Sequence, residues 1–256
     1  MKKKIAAVIP ARMGSSRFPG KPLAKILGLP MIEHVRRRVL LSDVIDKVYV
    51  ATCDQEIMDI VNSFGGEAIM TSDTHERCTE RVEEAARNID ADIIVIVQGD
   101  EPLFIPAIFK GLIEPIISND SVVCTNLLSV IDKREDLKDV DIVKAVIDQE
   151  SSILYFSRAP IPFYRVKSEA RSYRQTGISA FKSDFLRQFT KLPQTPLEVA
   201  ESVDFLRILE HGYKIRGVVV SQETFGVDRE DDIPIIERIL KNDKIQKEYF
   251  DIIKKI

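Results

Sequence analysis

The chain has 256 residues, 45% hydrophobic and 30% charged, with a net charge of −3. This is the composition of an ordinary globular protein with length enough for a substantial core. Its slight acidity argues against general polyanion binding, so nucleic acid is not an expected partner and any basic cluster is local. No apolar run approaches the ~20 residues needed to span a bilayer. Cys53, Cys78 and Cys124 lie far apart without CxxC spacing, which suggests neither a disulfide framework nor a zinc site. A cytoplasmic protein without a membrane partner is expected.

In chain order, "KIAAVIP" reads as a first strand, since its apolar run is too short for a signal peptide and runs into arginine. The loop "IPARMGSSRFPGKP" leads toward a helix, "MIEHVRRRVLLS", with Ile32, Val35 and Val39 on one face. "DKVYVAT" is a strand, and "DQEIMDIVNSFGG" a helix opened by Asp54 as a cap and closed by glycine. A strand "GEAIMTS", a helix "TERVEEAARNI" and a strand "DIIVIVQGD" complete the first half. Near-continuous apolar strands between amphipathic helices predict a parallel sheet covered on both faces.

The second half brings "SVVCTNLLSV", "DIVKAVID", "SILYFSRAPIP" and "RQTGISAFKS" with short connections, which predicts antiparallel or mixed strands. Helices return at "ESVDFLRILEHG" and "REDDIPIIERILKN", the latter beginning near Arg229, with the strand "YKIRGVVVS" between them. Without a low-complexity linker or repeat, the chain reads as one α/β domain over 1–256. A mixed insertion around 125–185 is expected to serve as a dimerisation or substrate arm.

The opening loop differs from known phosphate loops. Five residues separate Gly14 from Gly20, and Pro22 follows Lys21 where the Walker pattern needs a hydroxyl. The dinucleotide fingerprint GxGxxG is also absent, which argues against a Rossmann oxidoreductase. Strand-loop-helix geometry nevertheless places backbone N–H groups and a helix N-terminus at the carboxyl edge of a parallel sheet, where anions bind. Arg12, Arg17 and Lys21 could together neutralise much of a triphosphate there. A triphosphate calls for a divalent metal, and Mg²⁺ prefers carboxylate oxygen. Asp100 in "VQGDEP" follows the fourth strand, and Asp228 in "TFGVDREDD" follows the last. Either could instead be a turn or cap residue, but two strand-end carboxylates opposite a basic loop suit nucleotidyl transfer.

Taken in order, "IPARMGSSRFPGKPL", "PMIEHV", "VYVATCDQEI", "VQGDEPL", "ILYFSRAPIPF", "TGISAF", "TPLEVAES" and "FGVDREDD" resemble the cytidylyltransferases that make CMP-activated 3-deoxy sugar acids, most closely the CMP-Kdo synthetase family. The resemblance covers nearly the whole chain. It implies a three-layer, Rossmann-like nucleotide-diphospho-sugar transferase fold with a mixed central sheet. It also implies a CTP-dependent reaction of the EC 2.7.7 class, in which a 2-keto sugar acid becomes a CMP-sugar and pyrophosphate leaves. Arg12 and Lys21 then match triphosphate positions, with Arg17 close by, and Asp100 and Asp228 match Mg²⁺ ligands; Arg12, Lys21, Asp100 and Asp228 form the catalytic set. The nucleotide side further takes Pro10, Ala11, Gly14, Ser15 and Thr79. Gln98 and Arg158 match positions that approach the sugar acid, with Arg158 a grip for its carboxylate or, alternatively, part of an ion pair beside a strand.

The chain departs from the family in "HERCTER" (75–81), at Gln175 in "RQTGISAF", and at Asp204-Phe205 in "SVDFLR". Phosphate and metal positions match while sugar positions drift, so an acceptor such as Kdo or an amino-substituted Kdo is expected, with Gln175 and Asp204 on the acceptor side. The alternatives are a nine-carbon, sialic-like acceptor, or a non-catalytic nucleotide-binding regulator, against which the presence of both aspartates counts. His34 and His211 read as structural and His75 as a loop residue of open role. The resemblance also suggests a homodimer and a part in lipopolysaccharide biosynthesis.

Overall fold

The computed structural model describes residues 2–15, 17–166, 168–221 and 226–256. The chain divides into two compact units, Met1–Phe109 with Thr224–Ile256, and Lys110–Glu223. The second unit thus interrupts the first in sequence.

The first unit is built on parallel strands. β1 (Ile5–Ala11) is followed by a small hairpin, β2 (Lys25–Ile26) with β3 (Leu29–Pro30), and then by α1 (Met31–Leu40). β4 (Lys47–Thr52), α2 (Gln55–Ser63), β5 (Glu67–Met70), α3 (Cys78–Ala86) and β6 (Ile93–Val97) continue the predicted alternation. The order is β6-β1-β4-β5, with Val8 opposite both Tyr49 and Ile96. Every residue of β1 and β6 is buried, as their unbroken apolar runs require when helices cover both faces. Parallel pairing brings the ends of β1, β4 and β6 to one edge, and the loops that follow them gather there.

The second unit has the mixed character its short connections predicted. α4 (Ile108–Ser118) crosses from the first unit and leads to β7 (Cys124–Val130), α5 (Arg134–Lys138), β8 (Lys144–Ile147) and β9 (Ile153–Ser157). β10 (Tyr173–Lys182), α6 (Ser183–Phe189), α7 (Pro196–Glu201), α8 (Phe205–Glu210) and β11 (Arg216–Val220) follow. β10 pairs antiparallel with β7 and β8, β9 pairs antiparallel with β8, and β11 runs parallel to β7. Phe156, Phe181, Phe189 and Phe205 pack as an aromatic core, with Phe181 and Phe205 5.6 Å apart edge to face. Glu198 and Arg207 form a buried bidentate pair at 2.7 and 2.5 Å that ties α7 to α8.

The chain then returns to the first unit through α9 (Asp232–Asn242) and α10 (Lys244–Ile253). α9 starts three residues later than "REDDIPIIERILKN" suggested. The Asp232 carboxylate accepts the backbone N–H groups of Asp228 and Arg229, both at 2.8 Å, and so holds those two residues in a turn ahead of the helix. α10 covers α1, where His34 stacks on Phe250 at 5.5 Å and Arg37 Nη1 donates to the Ile253 carbonyl. Among the described residues no helix is long and apolar enough to cross a membrane.

Candidate active site

Two features turn the end of β1 into a platform. Asp54, predicted as the cap of α2, makes no capping bond to that helix. Its carboxylate accepts Met13 N–H at 2.8 Å and so anchors the opening loop. Met13 in turn accepts N–H bonds from Ser15 and Gly20, at 2.9 and 3.0 Å. Gly20, with φ 74°, allows the chain to double back into a short 3₁₀ turn over Lys21–Leu23. The helix read from "MIEHVRRRVLLS" begins at Met31 as expected, but that turn and the hairpin stand between it and the loop. The task of meeting an anion passes from a helix terminus to side chains.

Those side chains meet their partners as follows. Lys21 Nζ lies 2.5 Å from Asp100 Oδ2 and donates to the Val227 carbonyl at 2.8 Å. Arg17 Nη2 lies 2.9 Å from Asp228 Oδ1. The two carboxylates are held in register by the backbone, since Val227 N–H donates to the Asp100 carbonyl at 2.8 Å. Behind them Leu103 and Val227 share one apolar cluster with Met31, Ile236 and Leu240, so burial of the flanking residues fixes where each aspartate stands. Asp228 thus faces the opening loop instead of capping α9. Gly99 is needed beside Asp100, because a Cβ there would come within 3.1 Å of the Pro10 carbonyl and 3.3 Å of Ile32. Arg12 is exposed just beyond β1, as are Gly14 and, in part, Ser15. Pro10 and Ala11 are buried in the strand itself.

On the adjoining α3, Thr79 is buried at 2% exposure, and Gln98 Nε2 donates to Cys78 Sγ at 2.9 Å. His75 is bound to Glu84, whose carboxylate is held below its usual range first by the Ser72 N–H and then by His75. His75 thus braces the loop ahead of α3 against that helix. His34 donates to the Ile26 carbonyl, and burial lowers its pKa to about 4, so it is neutral and structural. His211 faces the Pro193 carbonyl at 3.1 Å.

The remaining predicted residues belong to the second unit. Arg158 is half-buried after β9; its Nε donates to the Glu201 carbonyl at 2.7 Å and its Nη1 to the Val140 carbonyl at 2.9 Å. The Glu201 carboxylate accepts Arg158 N–H and Ser157 Oγ–H, both at 2.7 Å, and leaves the guanidinium alone. Among the described residues the ion pair weighed for Arg158 from the sequence does not form. Gln175 is half-buried beside an irregularity in the β10–β7 register, and Asp204 stands at the N-terminal boundary of α8 without a side-chain capping bond to it. The sequence reading missed the Val227 carbonyl, the Asp54 anchor and Glu201. Glu201 lies inside the quoted "TPLEVAES", which was its available signal.

A set of alternating cations and carboxylates at the carboxyl edge of a parallel sheet matches a polyphosphate and the metal it carries. A family profile described as cytidylyltransferase matches residues 6–215. The chain is 43% identical over 248 residues to the 3-deoxy-manno-octulosonate cytidylyltransferase of Geobacter metallireducens, covering 92% of this chain and 98% of that one. It is likewise 43% identical over 241 residues to the enzyme of the same name from Trichlorobacter lovleyi, covering 90% and 96%. A solved structure of CMP:2-keto-3-deoxy-manno-octonic acid synthetase complexed with CTP superposes with a TM-score of 0.88 at 37% identity, covering 93% of this chain and 98% of that one. The fold is that of the Rossmann-like nucleotide-sugar transferases, and the chain belongs to the cytidylyltransferase family, in its CMP-Kdo synthetase branch.

Proposed function

We infer that the chain transfers CMP from CTP to the anomeric hydroxyl of 3-deoxy-manno-octulosonate and releases pyrophosphate. The observation that carries this reading is the linked set Lys21–Asp100 and Arg17–Asp228 beside the end of β1. The relatives, named for the same reaction, support it. Arg12, Arg17 and Lys21 bind the triphosphate, and Pro10, Ala11, Gly14, Ser15 and Thr79 line the nucleotide side. The C2 hydroxyl oxygen attacks the α-phosphorus in line, the bond to the β-phosphate oxygen breaks, and the hydroxyl proton passes to solvent. No covalent enzyme intermediate is needed, so the rate derives from positioning and from cations fixed where charge develops.

The residues present fit Mg²⁺. Both aspartates already face positive charge, and two carboxylates are the protein share that Mg²⁺ takes alongside phosphates and waters. Asp100 and Asp228 would hold the ion, which supplies charge neutralisation across the phosphate oxygens when bound. On the acceptor side, Gln98, Arg158, Gln175 and Asp204 contact the sugar acid. All three cysteines are thiols rather than halves of a disulfide, in keeping with a reducing cytoplasm. A homodimer is the expected assembly. Leu154, Phe163 and Val166 are 60%, 87% and 72% exposed in the expected arm, and a second copy would cover them. Light scattering at twice the chain mass would support that assembly, and a monomer would refute it.

The deciding experiment measures pyrophosphate release from each nucleoside triphosphate crossed against Kdo, its amino analogue and sialic acid. Release with CTP and Kdo is expected. Activity confined to UTP with a sugar phosphate would overturn the reading.

A further inference from the structure

Lys144 is an unusual residue to find where it is. It sits at the start of β8 with no exposed surface, and burial pushes its pKa down. Its Nζ donates to the carbonyls of Asp139 and Ile142, each at 2.7 Å, and to the carbonyl of Arg158. Three acceptors around one nitrogen use all three N–H bonds of an ammonium; a neutral amine has only two. That geometry suits the ammonium, which binds carbonyl dipoles and has the Asp139 and Glu201 carboxylates nearby without bonding to either. Holding a lysine this way is costly unless every donor is satisfied, and here every donor is.

The three carbonyls have one thing in common. Asp139 and Ile142 flank Val140, whose carbonyl receives Arg158 Nη1. The third belongs to Arg158 itself. Lys144 thus fixes both the backbone from which the Arg158 side chain departs and the segment that receives one of its donors. With Glu201 occupied by Ser157 Oγ and Arg158 N–H, the guanidinium is oriented by two neutral carbonyls, and Nη2 has no protein partner among the described residues. Among the described residues no carboxylate lies within ion-pair distance of the guanidinium, although Glu201 holds the backbone beside it, and that leaves Nη2 open to a ligand carboxylate.

We propose that Lys144 is a positioning residue for acceptor recognition: its ammonium ties the 139–142 segment to the end of β9 and so presents the Arg158 guanidinium to the carboxylate of a sugar acid. This rests on the reading of Arg158 as an acceptor contact, so the experiment separates the two. Lys144→Met keeps the length of the side chain and removes the three donors. It should raise KM for Kdo by about 10–100-fold, the scale of a misplacement near 1 Å, while KM for CTP stays within about twofold. Arg158→Ala should raise KM for Kdo at least as much. Adding Lys144→Met to Arg158→Ala should change it no further, the mark of one residue acting through the other.

If Arg158→Ala leaves KM for Kdo unchanged, the reading of Arg158 falls and the proposal with it. If Arg158→Ala raises it and folded Lys144→Met does not, or both KM values rise together, only the role of Lys144 falls. Should Lys144→Met fail to fold by circular dichroism, Lys144→Arg carries the test. It keeps the charge and a smaller, several-fold rise in KM for Kdo alone is expected; unchanged values would overturn the proposal.

Discussion

The two units hold their cations differently. In the first, Lys21 and Arg17 rest against carboxylates, Asp100 and Asp228. In the second, Lys144 and Arg158 rest against backbone carbonyls. An ion pair can be exchanged: a triphosphate takes the cations, a metal takes the carboxylates, and no charge is left alone. A carbonyl fixes a cation without cancelling it. The first arrangement suits a ligand that arrives with its own counter-ion, and the second suits a single bare carboxylate.

The contrast is most exposed at Asp100. Asp100→Ala should cut CTP-dependent pyrophosphate release by about 10³-fold, and an unchanged rate would remove the exchangeable pairs from the chemistry. The second unit also has an ion pair, Glu198–Arg207, but it is buried and far from exchangeable. Glu198→Ala strands a buried guanidinium and should lose about 3–5 kcal/mol in a denaturant titration. KM for both substrates should hold in the folded fraction; a shift in KM would blur the distinction between structural and exchangeable pairs.

His34 lies in the buried interior of the first unit. Its folded pKa of about 4 lies below the ordinary 6.5, so the fold favours the neutral ring. Its contribution is complete above pH 6.5 and is lost as the pH falls toward 4, amounting to about 3 kcal/mol. Melting temperature should therefore drop through that window, and His34→Asn should flatten the curve. The smallest effect is expected at Arg17, which is half-exposed in its pair. Arg17→Ala should raise KM for CTP about tenfold at low salt and less at high salt, because exposed charges are screened. An effect independent of salt would mean the pair is structural.

The strand–helix alternation of the first unit, the mixed second unit and the charged residues at the strand ends were all legible, since apolar runs and strand-end acids are local signals. What was not legible depends on distant partners. Three successive arginines ordinarily stay in water, yet Arg36, Arg37 and Arg38 are buried because Glu33, the Ile253 carbonyl and the Phe104 carbonyl receive them. α10, which covers that face, left no separate mark in the sequence reading. Asp54 reads as a cap by position, but its carboxylate goes to Met13, 41 residues away. The carbonyls that hold Arg158 are chosen by backbone geometry and carry no residue signature at all.

The bond from Val227 to Asp100 also sets a timetable. The apolar cluster that seats Asp100 draws Val227, Ile236 and Leu240 from beyond the whole second unit. A growing chain exposes its opening loop early but lacks these residues until the whole second unit has been made, while that unit, contiguous in sequence, can already collapse. The nascent polypeptide therefore carries one aspartate without the other. It gains the means to grip a nucleotide only once Val227 and Asp228 have followed the second unit out.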